Sequence, residues 1–329
     1  MGATSPLLQL PTSDDDLVRV ETALRESVRA PDPYLTELAS HLLLAGGKRL
    51  RPVMAIVAAL ADGRESASDD VVRGGVACEL VHVGSLYHDD VMDEAETRRG
   101  VETVNAKWGN LQAIVSGDFL LSRASEIAAS LGTEVAGLLA RTIGRLCHGQ
   151  LGEVRTTYQV GRTEGQYLDS IAGKTASLFA TSARIGGIVA GHPRPWIDAL
   201  TTYGEAFGML FQIVDDVLDV TATDAELGKP AGHDMEEGVY TLPVLRTLAA
   251  SDSVAGEMRS LLGHPLSVEE RDQALALVRG GSGIAQSIDV AVDYVRAAEA
   301  ACEGLEPCSA TDALRSAPAA LLATVAERV

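Results

Sequence analysis

Three aspartates, Asp89, Asp90 and Asp93, close an apolar stretch in the run CELVHVGSLYHDDVMDEAETRRG, and Arg98 and Arg99 follow a few residues on. On a helix, Asp89 and Asp93 share one face, with Asp90 about 100° round from Asp89. Like charges at this spacing repel by roughly a few tenths of a kcal/mol, and the C-terminal end of a helix disfavours anions further. Stability alone would not place them there. Hard oxygen ligands gathered at one point suit Mg²⁺, which takes one or two carboxylates and completes its shell with water and substrate phosphate. A lone acidic cluster is more simply a solvated helix end. The run FQIVDDVLD argues against that reading, because it sets Asp215, Asp216 and Asp219 at the same spacing. Two such clusters on facing helices of a bundle can hold metal from both sides.

The elements that must position these acids are helices throughout. Hydrophobic residues make up 46% of the chain and aromatics only 4%, a small-residue composition that favours close-packed helices over sheet. The spacing predicts a loose segment over residues 1–11 and a helix from Thr12 or Ser13 to about Arg29. It predicts further helices over Tyr34–Leu44, from Pro52, and through Cys78–Asp93. Asn105–Gly109 reads as a turn, followed by helices over Asn110–Ser130, Thr133–Thr157, Glu164–Ala190 and Pro195–Val220. A polar loop, Thr221–Gly238, carries Lys229 between Gly228 and Pro230, which forbid regular helix. A loop of that length suits a lid. Amphipathic helices, with no evident chemistry, complete the chain. The expected architecture is one all-α bundle around a central apolar cavity.

Gly46 and Gly47 let backbone approach an anion that Lys48, Arg49 and Arg51 can grip, although the same residues equally suit an ordinary basic loop. Counting back from Asp89 along the helix, Ser85, Val81, His82 and Cys78 lie on the inner face, with Gly84 adjacent and no aromatic among them. Lys174 and Thr175 interrupt a small, apolar run, where a merely structural lysine would snorkel outward. His148, Gln150 and Glu153 read as packed or solvated helix-face residues, Gln150 being the best placed to line a cavity.

In this order, GGKRLRP, DDVMD with RRG, the Lys174–Thr175 pair and DDVLD with GKPAGHD resemble the trans-isoprenyl (polyprenyl) diphosphate synthases, with the bacterial medium- and long-chain quinone side-chain synthases the nearest type. The resemblance implies the isoprenoid synthase fold and head-to-tail condensation of isopentenyl diphosphate with an allylic diphosphate (geranyl, farnesyl or geranylgeranyl). It implies three Mg²⁺ ions, held by Asp89, Asp90, Asp93, Asp215 and Asp219. It assigns isopentenyl diphosphate to Lys48, Arg51, His82 and Arg99. The allylic diphosphate falls to Arg98, Lys174 and Lys229, and Thr175 and Gln212 lie beside the reacting centre. Gly84 and Ser85, with Val81 and Cys78 beyond them, would set product length. Their small size implies a product longer than twenty carbons. A homodimer is expected, with peripheral membrane contact for product release.

Competing readings lack parts. A class I terpene cyclase has no need for the basic grip at Lys48–Arg51, and noncatalytic synthase subunits tend to lose the acidic motifs. A di-iron bundle needs two Glu-x-x-His pairs, and only Glu79 and His82 form one. A net charge of −19 argues against nucleic acid and against an anionic membrane surface. The apolar runs are too short to span a bilayer, no signal pattern is present, and the cysteines, Cys78, Cys147, Cys302 and Cys308, lack metal-ligand spacing. A cytoplasmic enzyme with reduced thiols is expected.

Overall fold

The computed structural model describes residues 7, 13–223, 226, 230–250, 253–326 and 328. About three quarters of them are helical, and the only strands among them form one short ribbon. In chain order the first helices are α1 (Ser13–Ser27), α2 (Pro33–Leu44), α3 (Leu50–Ala59) and α4 (Asp69–Met92). A two-stranded ribbon, β1 (Thr97–Arg98) and β2 (Val101–Glu102), leads into α5 (Val104–Trp108), α6 (Asn110–Ser130), α7 (Thr133–Val154) and α8 (Glu164–Ile171). A π-helical turn, Ala172–Ala176, joins α8 to α9 (Ser177–Ala190), and α10 (Arg194–Thr221) follows. Short helices α11 (His233–Glu236), α12 (Leu242–Ala249) and α13 (Ser253–Leu261) precede α14 (Val268–Gly280), α15 (Gly283–Ala301) and α16 (Ser309–Ala326).

Local chemistry sets these boundaries. Ser68 accepts from the Val71 amide to cap α4, and Asp32 accepts from the Tyr34 amide at the start of α2. Thr163 and Gln166 close a reciprocal capping box on α8. Packing then fixes the helices against one another. A Cβ at Gly208 of α10 would lie 2.5 Å from the Cα of Ala176. Only glycine lets α10 press this closely on the π-turn, and so the second acidic run is held beside Lys174 and Thr175.

Several expectations change. Asn105–Gly109 is not a turn: Thr103 accepts from the Ala106 amide and caps the short helix α5. The helix expected over Glu164–Ala190 is broken by the π-turn at the Lys174–Thr175 pair. Leu7, expected in a loose segment, is fully buried against the core. The other residues of that segment, and Lys229, lie outside the described residues, and the loop expected over Thr221–Gly238 contains the short helix α11. Among the described residues no helix is long and apolar enough to cross a membrane. All four cysteines are free, and burial raises the Cys78 thiol to about 12.

Candidate active site

The first acidic cluster forms where α4 ends. Asp93 is the C-terminal cap, its amide bonded to the Asp89 carbonyl at 2.8 Å, so the two carboxylates stay on adjoining positions. Burial is the main cause raising the Asp89 carboxyl, against the fields of Lys174 and Arg98. Burial also lifts Asp93 to about 6, with Lys174 opposing and Asp89 reinforcing the shift. Asp90, expected among the metal ligands, turns inward instead. It is 1% exposed, and Arg98 Nε donates to its Oδ1 at 2.5 Å.

Arg98 reaches Asp90 because the ribbon folds sharply back. Arg99 and Gly100, the two residues between the strands, have φ of 55° and 77°. This is the left-handed pair a two-residue hairpin turn requires, which explains glycine after the arginines. The Arg99 guanidinium donates to the Leu42 carbonyl at 3.1 Å and to the Gly46 carbonyl. The ribbon is thereby tied to the Gly46–Gly47 loop.

Around that loop the basic residues divide. Arg49, at φ 49°, is buried in a structural role. It donates to Glu21 at 2.6 Å, to Glu79 at 3.1 Å and to the Leu43 carbonyl at 2.8 Å. Arg51 stacks over the Phe179 ring at 4.8 Å, and its Nε has no protein partner. Burial holds the His82 imidazole well below its usual pKa, and Arg51 and Arg99 add to that effect. His82 is therefore neutral at physiological pH. It keeps some contact with solvent although α4 is otherwise mostly buried. Lys48 is exposed on the loop.

The inner face of α4 is open only near its end. Ser85 and His82 are half-buried, whereas Val81 and Cys78, expected to line an open tunnel, are fully buried in solid core. Gly84 also departs from expectation. A Cβ there would lie 3.1 Å from the Gly117 carbonyl oxygen and 3.4 Å from Leu120, so its small size serves the packing of α4 on α6.

On α10, Asp215 is exposed, while Asp216 is buried with both oxygens engaged. The Tyr167 hydroxyl donates to Asp216 Oδ2 at 2.5 Å, and Gln212 Nε2 donates to Oδ1 at 2.8 Å. Burial is the main cause holding that carboxyl well above its usual value. Asp219 is buried and receives the Asp234 amide at 3.4 Å, which packs the segment after Pro230 against the cluster.

The π-turn joins the two halves. Lys174 Nζ donates to Glu153 at 2.6 Å and lies in the fields of Asp89 and Asp93, while Thr175 donates to Gln212 Oε1 at 2.7 Å. From Asp89 the site thus continues through Lys174, Thr175 and Gln212 to the second cluster. Glu153 and Tyr167 are the residues sequence reasoning missed. Glu153 was set aside as an ordinary helix-face acid, and a tyrosine within α8 carried no signal of its partner.

The donor set suits divalent cations. Asp89 and Asp93 resist ionisation because they are buried, and Lys174 and Arg98 offset that burial only in part. Among the described residues no three His, Cys, Asp or Glu side chains converge into a ready-made cage.

An all-α bundle closing two acidic clusters around a lysine-bearing π-turn is the isoprenoid synthase fold. The sequence matches the Polyprenyl synthetase family over residues 32–278, and the chain belongs to that family. It is 38% identical to the nonaprenyl diphosphate synthase of Mycobacterium tuberculosis, covering 84% of this chain and 83% of that one. It is also 38% identical to heptaprenyl diphosphate synthase component 2 of Geobacillus stearothermophilus, covering 92% and 93%. The crystal structure of a polyprenyl synthase from Caulobacter crescentus, complexed with calcium and isoprenyl diphosphate, superposes with a TM-score of 0.90 at 30% identity, covering 100% of this chain and 99% of that one. The protein is a prenyltransferase.

Proposed function

We propose that this enzyme condenses isopentenyl diphosphate head to tail with an allylic prenyl diphosphate, in repeated rounds, to a product longer than twenty carbons. The observation that carries the reading is Lys174, a cation on a π-turn that feels Asp89 and Asp93 while its neighbour Thr175 bonds Gln212 of the other acidic helix. Lys174 and Arg98 hold the allylic diphosphate. Arg51, His82 and Arg99, with Lys48 closing from the loop, hold isopentenyl diphosphate. Asp89, Asp93, Asp215 and Asp219 are the residues to hold Mg²⁺, which when bound supplies Lewis-acid withdrawal of charge onto the leaving group. The allylic C–O bond breaks, the isopentenyl double bond forms the new C–C bond, and the proton released leaves with the departing diphosphate. The apolar walls shield the cation from water.

A product of that length is supported by the nonaprenyl and heptaprenyl names of the relatives and by the small Ser85 on the open face. Leu111, Ile114 and Val115 form an exposed apolar stripe on α6, which supports a homodimer through that helix. The name "component 2" in the Geobacillus relative favours a second reading, in which this chain needs a second polypeptide.

The test is to incubate the purified protein with Mg²⁺, labelled isopentenyl diphosphate and geranyl, farnesyl or geranylgeranyl diphosphate, and to size the products. Long prenyl diphosphates are expected. Cyclic hydrocarbon alone would point to a cyclase, and turnover only after adding a second protein would establish the two-component reading.

A further inference from the structure

Arg49 stands between two residues assigned to isopentenyl diphosphate, Lys48 and Arg51, yet each of its five N–H donors is committed inside the protein. Nε donates to Glu21 Oε1 at 2.6 Å, and Nη2 donates to Glu21 Oε2 at 3.4 Å and to the Leu43 carbonyl at 2.8 Å. Nη1 donates to Glu79 Oε1 at 3.1 Å and to the Gly46 carbonyl at 3.4 Å. We propose that Glu21, on the N-terminal helix α1, is a positioning residue for the isopentenyl diphosphate site. Through Arg49 it holds the Gly46–Gly47 loop in the shape that presents Lys48 and Arg51 to one diphosphate. The proposal rests on the prenyltransferase reading above and adds to it a residue that touches neither substrate.

The loop needs an anchor because its own backbone resists the shape it adopts. Arg49 has φ of 49°, a left-handed conformation disfavoured for any residue with a Cβ. A Cβ on Gly47 would lie 3.0 Å from Arg49 Nη1 and 3.1 Å from Arg99 Nη1, so the loop threads between two guanidinium groups. Arg99 donates to the same Gly46 carbonyl and to the Leu42 carbonyl, at 3.1 Å. Like charges this close need a carboxylate beside them. Glu79, 2% exposed, supplies one: burial lowers the pKa of Arg51 and of Arg99, and Glu79 is the strongest influence opposing it at each. Glu79 is therefore shared by three arginines. With Glu21 neutral, Arg49 would draw on that shared charge and the loop would relax. Charge alone predicts the opposite outcome, because removing a carboxylate beside a cationic site strengthens its attraction for a diphosphate. A raised KM thus marks position, and a lowered one marks charge.

The experiment measures initial rates, with each substrate varied in turn, and thermal melting for Glu21→Gln, Arg49→Lys and the pair. Glu21→Gln is expected to raise KM for isopentenyl diphosphate about tenfold, the order of one charge-assisted hydrogen bond, with KM for the allylic diphosphate within about twofold. The Glu21 side chain is 38% exposed, so Tm should fall by no more than about 3 °C. Arg49→Lys keeps the charge but loses the fork, and should raise the same KM. The double variant should be no worse than Arg49→Lys alone, because both changes release the same loop. Should Arg49→Lys fail to fold, Glu21→Ala takes its place as a single variant and should raise that KM at least as far as Glu21→Gln. An unaltered or lowered KM in Glu21→Gln, an equal rise for both substrates, or losses that multiply in the pair would overturn the proposal and leave the prenyltransferase reading intact. A wild-type protein that forms no prenyl diphosphate would overturn both.

Discussion

Replacing Ser85 by phenylalanine is expected to shorten the product. Ser85 lies four residues before Asp89, about 6 Å along the helix axis at 1.5 Å per residue. One extended isoprene unit spans about one helical turn, about 5.4 Å. A chain whose diphosphate sits at Asp89 therefore meets residue 85 between its first and second units, and a ring there stops growth well short of twenty carbons. The site tolerates the change, because Ser85 is half-buried and its hydroxyl donates to the His82 carbonyl of its own helix, at 2.8 Å. The assay extends farnesyl and geranyl diphosphate with labelled isopentenyl diphosphate and sizes the products. Gly84→Phe is the control. Its side chain would be driven into Gly117 and Leu120, so it should lower Tm and yield before it alters chain length. An unchanged product from a folded Ser85→Phe protein would refute the assignment of this face to the growing chain.

Three further outcomes are expected. Lys174→Gln removes a charged hydrogen bond, a change of about 1.5–3 kcal/mol, and should raise KM for the allylic diphosphate about tenfold or more; an equal rise for isopentenyl diphosphate would sink the assignment. Asp93 must be ionised to bind metal, and with its carboxyl at about 6, Mg²⁺ affinity should fall about tenfold from pH 7 to pH 5, a slope lost in Asp93→Asn by titration calorimetry. The sign reverses for the metal-free fold: a raised carboxyl pKa supports folding fully below its unfolded value of 3.8, and that support is lost as pH rises through about 6. Arg49→Met strands the buried Glu79 carboxylate, which should cost about 3–5 kcal/mol and lower Tm by about 4–7 °C in a thermal melt.

The sequence showed the fold class and the acidic clusters because both depend on spacing along one helix, where residue separation determines direction. It showed less of what depends on the partner across the bundle. Asp89 and Asp90 are neighbours in sequence, yet one is half-buried and the other pairs with Arg98 in the core. Gly84 and Ser85 looked equivalent as small residues, but only the facing Gly117 shows that Gly84 serves packing. Lys48, Arg49 and Arg51 read as one basic patch until Glu21 and Glu79 claimed Arg49. The π-turn was hidden because the extra residue in its turn leaves the local helical composition unchanged.

The ribbon after α4 sets a distance. Its neighbouring arginines engage opposite sides, Arg98 the Asp90 carboxylate and Arg99 the carbonyls beside Gly46. If Arg98 and Arg99 hold the two diphosphates as proposed, the spacing between donor and acceptor substrates is gauged by this tight reverse bend in the peptide. Lengthening that bend by a single residue would uncouple the two reactants while leaving each pocket intact.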